Sequence, residues 1–177
     1  MLGRTAQSMF WMSRQIERAE NMTRLAEAGH RISLTPSSGY GYRDDWRSTL
    51  VSAGVIDDFL EKYGEASFDK AMNFILFDDD NASSVRSCLR DARTNARAVR
   101  TKITRDMWEA LNSTWLTYEP IKPAEVTAAR LPELLDWVRQ RTALFRGALL
   151  GTILRDDGYF FSQLGVFVER AELPSAD

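Results

Sequence analysis

Two short phrases carry residue types that could do chemistry: residues 15–21 read QIERAEN and residues 167–172 read FVERAE, so Glu-Arg-Ala-Glu stands near each end of the chain. Carboxylates at that spacing suit general acid–base work or metal ligation. A helical wheel centred on Ile16 places Glu20 about 40 degrees away, Glu17 about 100 degrees and Arg18 about 200 degrees. Glu17 and Arg18 therefore diverge and cannot form one paired head. On the same helix Glu20 can reach Arg24 in the favourable i,i+4 order, and Arg14 can reach Glu17 at i,i+3. Phe10 and Leu25 occupy the back of this helix and Trp11 and Met22 a third side, leaving Arg14, Arg18 and Asn21 as its consistently polar strip. A helix so apolar around its circumference belongs at the centre of a bundle, where charges must be paired. Glu17, Glu20 and Arg24 are expected to find partners on other helices.

A second constellation lies in SSVRSCLRDARTNARAVRTKIT: Arg86, Arg90, Arg93, Arg97 and Arg100 recur at steps of four and three and fall within about 40 degrees of one line. An arginine stripe can be a solvated face answering acidic neighbours, a phosphate or carboxylate pocket, or a nucleic-acid surface. The acidic net charge of −2 disfavours the last and gives the chain no overall pull toward nucleic acid or an anionic membrane. Taken together, the two constellations predict that the Arg93–Arg97–Arg100 face meets Glu17, Glu20 and Arg24, as a buried ion-pair network or as a polar pocket. Val85, Leu89, Ala92, Ala96, Val99 and Ile103 form a separate apolar stripe about 110 degrees round, and Cys88 on its flank reads as a small core residue. DDDN at 78–81 reads as a helix start capped by Asn81 or Ser83 rather than a metal site. There is no Ser/His/Asp set, no HExxH and no ExxH pair, and each ERAE carries its own arginine, so neither a metal nor another cofactor is expected.

The elements that must position these residues are helical. Apolar residues recur at steps of three and four, and no alternating β-branched run flanked by turn signals occurs. The expected fold is all-α: a helical bundle with long central helices, one domain over 1–177. A first helix is predicted from about Arg4 to Gly29, with Met9, Met12, Ile16, Ala19, Thr23 and Ala26 on its core face and Gly29–His30 marking its end. A Ser/Gly/Pro-rich loop at 33–43 follows, then a short helix capped by Asp44 or Asp45, and further short helices at about 56–63 and 68–77. Helices at about 83–102 and 105–118 lead to a proline-containing connection at 119–132. Pro132 opens a helix to about 154, and the last helix spans about 159–173. In that last helix Phe161, Leu164, Val168 and Ala171 are expected on the core face, with Glu169 and Glu172 where Glu17 and Glu20 stand in the first. Two helices of one design suggest an internal repeat.

Hydrophobic residues at 44% and charged residues at 27% are those of a globular chain. The single cysteine excludes an internal disulfide and points to a reducing, cytoplasmic compartment. ALFRGALLGTIL at 143–154 is too short to span a bilayer and carries Arg146, so no membrane association is expected.

In order and spacing, FWMSRQIERAENMTRLAEA at 10–28, NASSVRSCLRDARTNARAVR at 81–100, MWEALN at 107–112 and RDDGYFFSQLGVFVERAE at 155–172 resemble the alpha-E family, bacterial helical proteins named for a Glu-Arg motif. By that resemblance the motif positions are Arg14, Glu17, Arg18, Glu20, Asn21 and Arg24, then Arg93, Asn95, Arg97 and Arg100, and finally Glu169, Arg170 and Ala171. Two positions depart from the family pattern: Ala82 replaces a proline, and Val166 replaces an arginine. The family continues well past the second motif, so the chain looks like its N-terminal part. The last helix is then expected to expose Phe160, Leu164 or Phe167 unless a second copy covers them, which predicts a homo-oligomer.

The resemblance also implies company: an ATP-grasp-type ligase and a transglutaminase-like protein, with a role in making or modifying peptides. The preferred expectation is a non-catalytic or accessory helical component that binds such a ligase or its peptide product. An enzyme of peptide or amide-bond modification with a Glu/Arg polar pocket, and a degenerate fragment without independent function, are the alternatives. The first two differ in geometry: an enzyme should set the Glu/Arg cluster around an open concavity, and a scaffold should bury it as closed pairs.

Overall fold

The computed structural model describes residues 1–35 and 43–172. Among them are α1 (Gly3–Leu34), α2 (Arg43–Ser52), α3 (Ile56–Tyr63), α4 (Phe68–Leu76), α5 (Val85–Ala98), α6 (Arg105–Tyr118), α7 (Leu131–Thr152) and α8 (Asp157–Glu172), with a 3-10 turn at Pro123–Glu125 and no strand. None of the described helices is long and apolar enough to cross a membrane.

The predicted core face of α1 is buried throughout, from Met9 and Met12 through Ile16, Ala19 and Thr23 to Ala26, and α1 touches α8, α5, α7, α2 and α4. It is the central helix that its apolar circumference implied. Glu27 meets Arg139 near one end of α7 and Glu20 meets Arg146 further along it, so these two helices are antiparallel. Helix α6 runs antiparallel to α7, with Thr104 bonded to Thr152 at one end and Tyr118 stacked on Trp137 at the other. It is antiparallel to α5 as well, through Arg93 to Asn112 midway and Arg86 to the Glu119 carbonyl at the far end. The turn that follows α5 lies beside the start of α1, where Lys102 and Met1 line one hollow. The helices α2, α3 and α4 close one end. Trp46, Phe59 and Phe74 are fully or nearly fully buried there, each worth roughly 1.5–3 kcal/mol. Tyr118 joins this layer to the bundle by donating to the Leu76 carbonyl at 2.7 Å.

Several boundaries differ from expectation. Helix α1 does not stop at Gly29–His30 but continues to Leu34. Gly29 serves packing instead, since a Cβ there would lie 2.5 Å from Thr49 Oγ1 and 2.8 Å from the Trp46 ring on α2. Of the loop expected at 33–43, residues 36–42 fall outside the described residues, and α2 begins at Arg43, ahead of the predicted Asp44 or Asp45 cap. The cap of α5 is Ser84, whose side chain accepts from Ser87 N, rather than Asn81 or Ser83. Asn81 braces the preceding turn, accepting from Ser83 N at 3.0 Å and donating to the Phe74 carbonyl at 2.8 Å. Helix α5 ends at Ala98, so Arg100 lies beyond its last turn.

The largest correction concerns α8. Its buried residues are Gly158, Ser162, Gly165, Val166 and Glu169, while Phe161, Leu164 and Ala171, placed on the core by the repeat argument, are exposed. The cause is the closeness of α1. The two helices run parallel, Ser162 Oγ donating to the Met9 carbonyl and Glu169 meeting Arg14 further along. At the contact a Cβ on Gly165 would stand 2.2 Å from the Phe10 carbonyl oxygen. Backbone that close excludes any larger side chain, so small residues face inward and the bulky apolar ones face out.

Gly165→Ala should therefore destabilise the protein by about 1–3 kcal/mol through overpacking, although alanine is the better helix former by about 1 kcal/mol. Gly147→Ala, on an open face of α7 with nothing within 4 Å of the added carbon, should be neutral or stabilising. Urea unfolding of both variants checks the pair, and a more stable Gly165→Ala would contradict the close approach.

Candidate functional site

Glu17 and Glu20 on α1 and Glu169 on α8 are each only 6% exposed, and an unpaired carboxylate at such depth would cost several kcal/mol. None is unpaired. Glu169 takes a two-pronged contact from Arg18, Nε to Oε1 at 2.8 Å and Nη2 to Oε2 at 2.9 Å, and a further bond from Arg14 Nε at 2.9 Å. Glu17 accepts from Arg170 Nε at 2.6 Å and lies 3.4 Å from Arg146 Nη2. Glu20 accepts from Arg24 Nη2 at 2.6 Å, from Thr142 Oγ1 at 3.3 Å and from Arg146. Arg14 also bonds Glu172, and its guanidinium lies 4.9 Å from the Trp11 ring centre.

The exchange between the phrases is reciprocal. Arg18 of the first holds the leading glutamate of the second, and Arg170 of the second holds the leading glutamate of the first. This is possible because α1 and α8 are parallel and close to register, so each phrase offers its Glu and Arg to the other's Arg and Glu.

The electrostatics follow from burial and pairing. Burial pushes the Glu20 carboxyl up, but the bonds from Arg24 and Arg146 outweigh it and hold the group below its ordinary 4.5. The bond to Glu169 strengthens the charge on Arg18 against the opposing effect of burial. Burial drives Arg146 the other way, and Glu20 and Glu17 reverse it, so its pKa also rises. Cys88, fully buried beneath this network, is pushed far above the usual thiol range chiefly by burial, with Arg18 opposing. It is a core residue and not a nucleophile at neutral pH.

Of the predicted site residues, Arg14, Glu17, Arg18, Glu20, Arg24, Glu169 and Arg170 come together, and Asn21 is buried beside them on α1. The stripe arginines do not join. Helix α5 turns its apolar stripe toward the core, which carries the arginines round toward α6 and the turn before α5. Arg86 reaches the Glu119 carbonyl and Arg90 pairs with Asp79 and Asp91. Arg93 bonds Asn112 Oδ1 at 2.8 Å, and Arg93 and Arg100 both lie over the Trp108 ring. Asn95 donates to the Asp91 carbonyl, and Arg97 is exposed. The expected contact of Arg93, Arg97 and Arg100 with Glu17, Glu20 and Arg24 is therefore replaced by arginines of α7 and α8. Glu17 likewise takes Arg170 and Arg146 in place of Arg14.

Sequence reasoning missed Arg146 and Thr142. The signal was present: an arginine in the middle of ALFRGALLGTIL, the most apolar stretch of the chain, has to find an anion or snorkel. The acidic run at 78–81 is also paired rather than free. Asp78 accepts from Lys62 Nζ at 2.8 Å and from Tyr63 Oη at 2.9 Å. Burial raises its carboxyl, and Lys62, the Asp80 N–H and Tyr63 more than compensate, leaving it below the ordinary range.

Residues 1–174 match Alpha-E, a predicted alpha-helical domain with a conserved ER motif. The chain belongs to the Alpha-E family. No curated protein and no solved structure matches it. In this Alpha-E chain each Glu-Arg pair of the ERAE phrases completes its charge across a helix contact, which gives the motif a stereochemical meaning: it clamps α8 to α1. A hollow of about 460 Å³ lies between α6 and α7, over Ile121, Val126, Leu134 and Trp137, and shares no residue with the clamp.

A double-mutant cycle measures the clamp. Glu169→Gln, which leaves Arg18 without a carboxylate, should destabilise by on the order of 3 kcal/mol, Arg18→Gln by less because Arg14 still holds Glu169, and the double variant should recover about 1–3 kcal/mol of the summed loss. Strict additivity in urea unfolding would mean that the two residues do not touch.

Glu20 sets a pH dependence. Its pKa in the folded chain is below the 4.5 it has when free, so its pairing contributes stability that is complete above that value and is lost as pH falls through the folded pKa. Glu20→Gln should thus be less stable than the parent at about pH 7, with the gap narrowing as the pH falls below 4.5. Thermal unfolding across that range checks the sign, and a gap independent of pH would refute the assignment.

Proposed function

We propose that this Alpha-E protein is a non-catalytic accessory component of a bacterial, cytoplasmic peptide-modifying system, binding an ATP-grasp-type peptide ligase or the peptide the ligase makes. One observation carries the choice between scaffold and enzyme: the motif carboxylates are buried and each is held by arginine. A carboxylate so held is a poor general base, since arginine does not give up its proton and holds the acid in its ionised form. General bases work near the operating pH, and the shift on Glu20 runs the other way. Amide-bond chemistry at Glu17 or Glu20 would first require an arginine to leave. The ligase and the peptide enter through the resemblance of the motif-bearing segments to a family found in that company.

The test combines recovery and reconstitution. The tagged chain, isolated from its native host, should bring with it the ATP-grasp-type ligase or a ligase-made peptide. With purified ligase, peptide formation should rise on adding this chain in stoichiometric amount, while the chain alone forms and cleaves no amide bond. Turnover by the chain alone, lost in a folded Glu20→Gln variant, would make it an enzyme. Recovery of neither ligase nor peptide would remove the reading altogether.

A further inference from the structure

The hollow between α6 and α7 joins an apolar floor to an acidic rim. Its floor is Ile121, Val126, Leu134 and Trp137, each only partly buried. Its volume of about 460 Å³ falls within the roughly 300–1,000 Å³ of small-ligand sites. The indole is backed by two further rings: Trp137 stacks on Tyr118 at 6.3 Å, and Tyr118 on Phe77 at 5.5 Å. The Tyr118 hydroxyl is tied in turn to the Leu76 carbonyl, so the surface of Trp137 that Tyr118 leaves bare is offered to the hollow in a fixed position.

Glu125, Glu133 and Asp136 stand at the rim, all exposed. Among the described residues none of them has a cation within ion-pair distance, and Asp136 takes the Gln140 amide at 2.6 Å. Arg130 is the one cation of the lining; it pairs with none of the three, and no cation lies over the Trp137 ring. Three carboxylates against one guanidinium leave the lining two charges negative. Outside the lining, Glu119 and Lys122 on either side of Pro120–Ile121 cancel. Arg130 and the positive end of α7 would draw an anion, and Glu133 in the first turn of α7 opposes both.

We propose that this hollow binds a cationic, amphipathic peptide segment, with a lysine or arginine head among the rim carboxylates, its methylene stem over Trp137 and a neighbouring apolar side chain on Ile121, Val126 and Leu134. The sign of the rim selects against an acidic ligand. Its exposure selects against a bare cation, since solvated ion pairs gain little against water and salt, and affinity must come from apolar area removed from water. A lysine or arginine meets both needs, because its charge ends an apolar stem and either head is drawn to an indole face. A wholly apolar occupant would cover the rim without answering its charge. The site stands on the hollow alone, and no ligase enters its test, so its failure leaves the accessory role proposed above untouched.

Calorimetric titration of the full chain with acetyl-Ser-Leu-Lys-Leu-Ser-amide should give a dissociation constant below about 1 mM, rising several-fold as salt increases from about 50 to about 300 mM. The same peptide with glutamate in place of lysine should bind at least about tenfold more weakly, and so should lysine amide, which brings no apolar neighbour. Glu133→Gln combined with Asp136→Asn should lose about fivefold or more in affinity with the unfolding midpoint unchanged. Asp57→Asn combined with Asp58→Asn removes the same charge from exposed positions of α3, outside the hollow, and should change nothing. The indole N–H resonance of Trp137, assigned by its absence from Trp137→Phe, should move on titration. No binding at about 1 mM peptide, equal affinity for the lysine and glutamate peptides, or an equal loss in the α3 variant would overturn the site. Lysine amide binding as tightly as the peptide would overturn the amphipathic ligand.

Discussion

Burying Glu169 and Glu17 against the neighbouring helix is tolerable only if each receives an arginine there, and that requirement organises the molecule. The desolvation of a carboxylate costs several kcal/mol unless directed donors replace the lost water. Arg14 and Arg18 reach Glu169 only when α8 lies parallel to α1 and nearly in register, and Arg170 reaches Glu17 only in the same arrangement. Shifting α8 by one residue would rotate Glu169 by about 100 degrees, away from both arginines. The ion pairs therefore specify orientation and register, a use for which buried charges are better suited than for net stability. A third helix is tied to the same point, because Arg146 of α7 serves Glu17 and Glu20 together.

The clamp needs short reach, and short reach needs small residues. Gly165 lets the backbones of α1 and α8 come close, and at that distance Arg18 takes Glu169 in two-pronged geometry. The same choice has a cost on the other side of α8. A helix whose inner face holds glycine, serine and glutamate has little apolar area to bury against α1, so its phenylalanines lie outside. The polarity of the inner contact and the hydrophobicity of the outer face are two results of one constraint.

What was legible in the sequence follows from which physical signal dominates locally. Spacing of apolar residues located the core faces of α1 and α5, because those helices bury large side chains against several neighbours and the period is strong. Ends were read less well. Glycine stops helices in general, yet Gly29 lies inside α1, where the approach of Trp46 and Thr49 decides what fits. On α8 the repeat argument failed, because it set Phe161, Leu164 and Ala171 inside, whereas the expected exposure of Phe160, Leu164 and Phe167 is what the structure shows. Within the site, the wheel showed correctly that Glu17 and Arg18 could not pair and that Glu17 and Glu20 needed outside cations. It could not say which helix supplied them. Five arginines on one stripe drew the assignment to α5, although its apolar stripe had already claimed the side facing α1. The partners were instead arginines surrounded by apolar or small residues, Arg146 above all, for which isolation rather than clustering was the clue.

The closed state of the motif also bears on what an Alpha-E helix pair can do. For Glu17 to take a proton from a substrate, Arg170 and Arg146 would have to swing away, exposing Glu20 and loosening the contact that holds α8. Such a motion costs at least the pairing it breaks. Catalysis by these groups would thus be coupled to partial undocking of a helix that carries register-setting charges on one face and a bare apolar seam on the other. Recognition needs no such motion. A rigid α1–α8 pair presents its outer surface in a fixed frame, and fixing that frame lowers the ordering cost that any partner, identical or different, must meet on binding.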